Sequence, residues 1–150
     1  MRKIIVDTNI IFSCLLHSQG NIGDLIFNSD NIFEFFSNEY MRFEIRKHWG
    51  KLKKISGLSD GQLQASLDIL LTKVIFIRED LIPEKTWKKA ELLAKGIDLD
   101  DTDFIALTIY LKGSLWTGDK QLYEGLKVKH FRTAYNTFDM IDLRNELSAT

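Results

Sequence analysis

Ile4-Ile5-Val6-Asp7-Thr8-Asn9-Ile10-Ile11, continued by Cys14 and Leu15, decides how the rest of the chain is read. Three consecutive β-branched residues form a short buried strand, because a branched Cβ packs well on a pleated surface and poorly against a helical turn. Asp7, Thr8 and Asn9 carry side-chain oxygens suited to capping a helix, and the apolar residues after them recur at helical spacing. The stretch is a strand passing directly into a helix.

Outward from it the alternation continues. A second helix is expected from Gly23 to Asn28, and a phenylalanine-rich strand from Ile32 to Ser37. From Asn38 the spacing turns helical, with Met41, Ile45, His48 and Leu52 along one stripe. Ser59 and Asp60 cap a helix through Leu71, and Val74 to Ile77 is the clearest strand. Pro83 suits the first turn of a helix that runs to Ala94 and ends at Gly96. Asp100-Asp101-Thr102 opens a helix to Leu111, closed by Gly113, and Ser114 to Thr117 is a short strand. A helix starts near Asp119, a strand lies around Phe131 to Ala134, and Phe138 to Leu147 is amphipathic. Short strands alternating with helices predict a three-layer α/β/α sandwich around a central, mostly parallel sheet.

The 150 residues, 45% hydrophobic and 27% charged, have the size and makeup of one globular domain over 1–150. A single proline, no repeat and no low-complexity stretch leave nothing to mark a linker. The longest apolar runs, Val74 to Ile77 and Phe104 to Leu107, fall far short of the ~20 residues a membrane-spanning helix needs. The basic start Arg2-Lys3 meets Asp7 too soon for an export signal, and the lone Cys14 cannot form an intramolecular disulfide. A cytoplasmic protein without a membrane partner is expected. Twenty basic and 21 acidic side chains give a net charge of -1, so a polyanionic partner would have to be held by local clusters.

In open parallel sheets ligands bind outside the carboxyl ends of the strands. Asp7 directly follows the first strand, and Asp119 follows Leu115-Trp116-Thr117 after one glycine. Each also reads as a helix cap. Asp98-Leu99-Asp100-Asp101-Thr102-Asp103 places four carboxylates in six residues at the start of a helix, where the helix dipole accounts for only one or two. Asp101 shares a helix face with Phe104, Ile105 and Thr108 and so points toward packed surface, whereas Asp103 lies with Leu107 and Tyr110 and suits a solvated position. An EF-hand is a poor explanation, since Asp103 stands where that loop needs glycine and Ile109 where it needs glutamate. Glu44 flanks the Met41 to Leu52 stripe, a position where an isolated glutamate is normally solvated.

Taken in order, Val6-Asp7-Thr8-Asn9, Glu44, Asp100-Asp101-Thr102-Asp103-Phe104-Ile105-Ala106-Leu107 and Leu115-Trp116-Thr117-Gly118-Asp119 resemble the PIN domain, the nuclease fold of the VapC-type toxins, over nearly the whole chain. The resemblance implies an α/β/α sandwich whose acids bind one or two divalent cations, Mg2+ or Mn2+, and hydrolyse RNA. On this chain the family's four acids fall on Asp7, Glu44, Asp101 and Asp119. Asp100 and Asp103 lie close enough that either is an alternative to Asp101, and Asp103 joins Asp7, Asp101 and Asp119 among the metal-ligand candidates. Thr8 or Asn9, and Thr117, would hold the carboxylates by hydrogen bonds. The toxin role implies a partner antitoxin. A homodimer is also expected, because family members often pair and because Phe33, Phe35 and Phe36 exceed what one small sheet obviously covers.

The chemistry agrees with this expectation. Phosphodiester hydrolysis needs a hydroxide near neutral pH and neutralised charge on the phosphate, and hard cations held by oxygen ligands supply both. Carboxylates crowded together without a cation repel, so at least one should have a raised pKa. For the RNA, Arg42, Arg46, Lys47, Lys51, Lys53 and Lys54 surround Trp49, and Lys127, Lys129, His130 and Arg132 form a smaller cluster. A solvated helix face with Trp49 in the core is the competing reading. A haloacid-dehalogenase-like phosphatase needs an aspartate where Asn9 stands, and a receiver domain needs a late lysine-proline pair, whereas Pro83 is the only proline. Neither common Gly-rich phosphate loop is present. A non-catalytic RNA- or partner-binding module on the same fold is the remaining alternative.

Overall fold

The structure, a computed structural model, describes residues 1–149, so the last residue of the expected 1–150 domain lies outside the described residues. Burial of the first strand organises it. β1 (Arg2–Val6) has Ile4, Ile5 and Val6 fully buried and pairs on one side with β2 (Phe33–Asn38), which pairs with β3 (Val74–Ile77). On the other side it pairs with β4 (Ser114–Trp116), which pairs with β5 (Ala134–Tyr135). All four pairings are parallel, in the order β3-β2-β1-β4-β5. The chain therefore winds outward from β1 to β3 and then returns to build in the opposite direction from β4. The reversal between β1 and β4 is a topological switch point, where an open α/β sheet leaves a crevice.

The helices of the α/β/α sandwich are α1 (Thr8–Leu16), α2 (Asn21–Phe27), α3 (Tyr40–Lys47), α4 (Trp49–Ser56), α5 (Asp60–Leu71), α6 (Glu84–Ala94), α7 (Thr102–Leu111), α8 (Lys120–Val128) and α9 (Thr137–Ser148). Ser59 caps α5 in a reciprocal capping box with Gln62. Ile10, Ile11, Cys14 and Leu15 turn the inner face of α1 to the core, and burial pushes the Cys14 thiol up to about 12, which marks it as packing and not a nucleophile. Among the described residues no helix is long and apolar enough to cross a membrane.

Several boundaries differ from expectation for physical reasons. The stripe from Met41 to Leu52 belongs to two helices broken at His48 (φ -99°, ψ 15°), with Met41, Ile45 and Leu52 buried all the same. Lys112 (φ 55°), not Gly113, takes the left-handed turn that ends α7. Gly113 is needed for closeness instead: a Cβ there would stand 2.7 Å from both Ile5 Cδ1 and the Lys3 carbonyl. The last strand starts later than expected, at Ala134, because Phe131 donates back to Leu126 and His130 (φ 63°) turns the chain first. Phe33, Phe35 and Phe36 are buried within the chain itself, so they lend no support to a homodimer.

Helix α8 also holds the segment that precedes the acidic run. Lys129 Nζ donates to the carbonyls of Leu92 (3.1 Å), Leu93 (2.9 Å) and Lys95 at the end of α6, where a cation is favoured by the helix dipole. Gly125 lies under Ile97, and a Cβ at 125 would come within 2.6 Å of Ile97 Cδ1. Lys129 is thus a structural cation and not a free phosphate contact.

Candidate active site

Parallel register sets the row of residues at the carboxyl edge. Val6 lies beside Trp116 and Ile5 beside Phe36, so one or two steps on, Asp7 is flanked by Thr117 and Asn38. The Ser37 hydroxyl donates to the Val6 carbonyl at 3.0 Å and fixes β2 against β1 at that edge. Asp7 is 2% exposed; one carboxylate oxygen accepts the Ile10 N–H at 3.0 Å and caps α1, and the other accepts the Thr117 hydroxyl. The same Thr117 oxygen accepts the Asp119 N–H at 3.0 Å, and Asp119 in turn accepts the Leu122 N–H at 3.2 Å, capping α8. Asp7 and Asp119 are both helix caps and both edge carboxylates. The roles are compatible because a carboxylate oxygen has more than one lone pair.

Asp98 caps a 3-10 turn (Leu99–Asp101) by accepting the Asp100 N–H at 2.9 Å, which swings Asp101 toward Asp119. One carboxylate oxygen from each of Asp98, Asp101 and Asp119 lies within 4.8 Å of the others. Asp101 Oδ2 is buried with no hydrogen-bond partner among the described residues. Burial, aided by the negative charges of Asp98, Asp7, Asp119 and Asp103, pushes Asp101 up to about 7. Burial likewise pushes Asp7 up to about 6, against the stabilising bonds from Thr117 and Ile10.

A second acidic group faces the first. Thr8, Asn38, Tyr40, Glu44, Asp100, Asp101, Asp103 and Phe104 line a cavity of about 430 Å3. Asn38, 2% exposed, donates from Nδ2 to Asp103 at 3.1 Å and accepts the Met41 N–H at 3.0 Å, joining α7 to the start of α3. Asp103 is not the solvated residue its helix position suggested. It is half-buried, and burial, followed by the charges of Glu79, Asp100 and Glu44, raises its pKa. Glu44 is also turned inward, 23% exposed and 3.3 Å from His48 Nε2. Asp101 stands in both groups. Asn9 is exposed, and its side chain holds no carboxylate. Asp98 and Asn38 are the positions the sequence did not single out: the first was visible inside the acidic run, and the second carried no local signal.

The basic set separates into bound and free members. Arg42 pairs with Glu39 (3.5 Å) and covers the Phe76 ring, and Arg46 covers the Trp49 ring and donates to Gln64. Trp49 Nε1 and Lys53 Nζ both donate to Asp60 at 3.1 Å. Lys47, Lys51 and Lys54 are exposed and without a partner among the described residues. Lys127 lies over the Tyr123 and Tyr135 rings.

The raised carboxyl values predict an inverted pH profile for the metal-free protein. Both Asp7 and Asp101 hold their protons in the native state to a higher pH than the ordinary 3.8. Between that value and about 6 to 7 the native state binds more protons than the unfolded chain, so stability falls as pH rises and the cost levels off above. Thermal melts in chelator should give a higher Tm near pH 5 than near pH 7.5, and a Tm climbing through that interval would contradict the burial of these two acids.

A parallel sheet that gathers a buried carboxylate, Asp7, with the half-buried Asp101 and Asp119 at its switch point defines an α/β/α protein with an acidic edge site. The chain belongs to the PIN-domain family: the family model described as PIN domain matches residues 5–139. Members of that family are generally nucleases. The fold is similar to that in the crystal structure of VapBC2 from Rickettsia felis bound to a DNA fragment from their promoter, with a TM-score of 0.62 and 19% identity over 89% of this chain and 98% of that one. No curated protein matches the chain.

Proposed function

We propose that the chain is a divalent-metal-dependent endoribonuclease that hydrolyses RNA phosphodiester bonds, working in the cytoplasm as a toxin restrained by a partner antitoxin. The observation that carries this reading is Asp101 Oδ2, a buried carboxylate oxygen without a partner among the described residues, in a side chain that reaches within 4.8 Å of oxygens from Asp98 and Asp119. An oxygen-only set of this kind suits Mg2+ or Mn2+ and not a softer metal. Asp7, Asp101 and Asp119 would hold the cation, with Asp98 or Asp103 completing the set. A bound cation supplies charge neutralisation at the phosphate and a hydroxide near neutral pH.

The chain's own residues do the rest. Thr117 fixes the Asp7 carboxylate and the Asp119 backbone with one hydroxyl, and Asn38 fixes Asp103. Glu44 offers a proton acceptor in the lining of the same cavity, with His48 beside it. Lys47, Lys51 and Lys54 hold phosphates of the RNA, with Arg42, Arg46 and Lys53 contributing only if they leave their present partners. Likeness to a VapBC complex supports an antitoxin. The homodimer rests on exposed apolar residues such as Leu92 and Leu99 beside α6 and is checked by light scattering.

The experiment is cleavage of single-stranded RNA with manganese and with chelator, beside thermal melts under both conditions. Metal-dependent cleavage and a Tm raised by manganese are expected. RNA binding with neither response would make the chain a non-catalytic module and end the nuclease reading.

A further inference from the structure

Helix α3 carries more toward the cavity than Glu44. Tyr40, Phe43, Glu44 and Lys47 recur at the spacing that places them along one helix face. Tyr40 and Glu44 line the acidic cavity, and Phe43 stacks on Tyr40 with ring centroids 5.3 Å apart and planes tilted by 33°. Both rings are open to solvent, 49% for Tyr40 and 56% for Phe43. The backbone at the start of that helix is tied down. Asn38 caps the helix at Met41, and the Tyr40 N–H donates to Glu79 at 2.9 Å.

An exposed apolar ring in isolation needs no explanation, but two rings packed together, one of them lining an acidic cavity, form a surface with a definite complement. A nucleobase presents a flat π-face, and base-on-aromatic stacking tolerates any sequence. Acids adjoin the pair itself, Glu79 at the Tyr40 N–H and Glu44 in the cavity, and basic charge follows along the chain. Lys47 stands one turn further along the face, with Lys51 and Lys54 beyond it on α4, all three without partners among the described residues and so available to phosphates. We propose that Tyr40 and Phe43 form a stacking step that seats an unpaired base of the RNA beside the phosphate held at the carboxylates. The step selects single-stranded over duplex RNA, because a paired base keeps its faces covered by its neighbours.

This proposal rests on the ribonuclease reading, and the test separates the two. Steady-state cleavage with manganese is compared for the parent, the Tyr40→Ala/Phe43→Ala variant and the Tyr40→Phe/Phe43→Tyr variant, on a single strand and on a duplex of the same sequence. Loss of one stacked base corresponds to a KM for the single strand raised about tenfold or more in the alanine variant, with kcat nearly unchanged. The aromatic exchange keeps the parental KM, and the duplex reaction shows no dependence on the pair. A parent that cleaves no RNA defeats the nuclease reading itself. A cleaving parent with an unchanged KM in the alanine variant overturns the stacking step alone. Light scattering on the same proteins closes the other route: if the alanine pair changes the oligomeric state, the rings belong to a contact between copies and the proposal fails.

Discussion

Asp7→Asn is expected to abolish the proposed metal-dependent RNA cleavage and to leave the fold standing. The amide oxygen still accepts the Ile10 N–H that caps α1. The new NH2 can donate to the Thr117 hydroxyl oxygen, which has a lone pair to spare beyond the one that accepts the Asp119 N–H. The cap survives and the tie between strands survives reversed, the Thr117 hydroxyl now accepting where it had donated, so the loss is the charge and one hydroxyl donor bond. The expected loss of rate exceeds the ~10–100-fold typical of removing a group that merely orients a ligand. In chelator near pH 7 the variant should be more stable than the parent. Asp7 is pushed to about 6 by burial, so ionising it in the native state costs about 2–3 kcal/mol that the amide does not incur. Cleavage assays and melts on one preparation decide the matter. If the variant cuts as fast as the parent, or loses activity only because it unfolds, Asp7 is a helix cap and nothing more.

Asp101→Asn and Asp103→Asn part company in the presence of manganese. Asp101 has a buried oxygen that nothing in the described chain satisfies, whereas Asp103 already accepts a hydrogen bond from Asn38. The first substitution should erase both cleavage and the manganese-induced rise in Tm. The second should keep the rise while slowing cleavage, since an asparagine at 103 can still accept from Asn38 and Asp103 stands outside the trio of Asp98, Asp101 and Asp119. The reverse pattern would move the third ligand from Asp101 to Asp103.

How far these residues were legible in the sequence depended on how local their environments are. The strand before Asp7, the caps at Asp7, Ser59 and Asp119 and the four-acid run are written in consecutive residues, and the parallel sheet follows from their alternation. The break at His48 was hidden because positions 41, 45, 48 and 52 keep helical spacing whether one helix or two carries them. Asp103 looked solvated because the partner that holds it, Asn38, is 65 residues away and meets it only once α7 lies across the end of β2. Half of the basic cluster proved engaged for the same reason, Lys53 by Asp60 across the turn between α4 and α5, and Arg42 above Phe76 of β3.

Helix α8 begins at the Asp119 cap and ends at Lys129, whose ammonium grips the end of α6 just before Asp98, with Gly125 seated under Ile97 between them. That helix of nine residues, about 14 Å long, is one gauge of how Asp98 and Asp119, whose oxygens come within 4.8 Å of each other, are held. Such a gauge can be reset from a distance. Magnesium demands near-ideal octahedral geometry while larger cations accept looser shells, so under the proposed function a side chain added at Gly125 or a shortened one at Lys129 would shift which cation the edge prefers with every carboxylate retained in the sequence. Preference among metals would then be a trait that drift in a helix outside the carboxylates can alter.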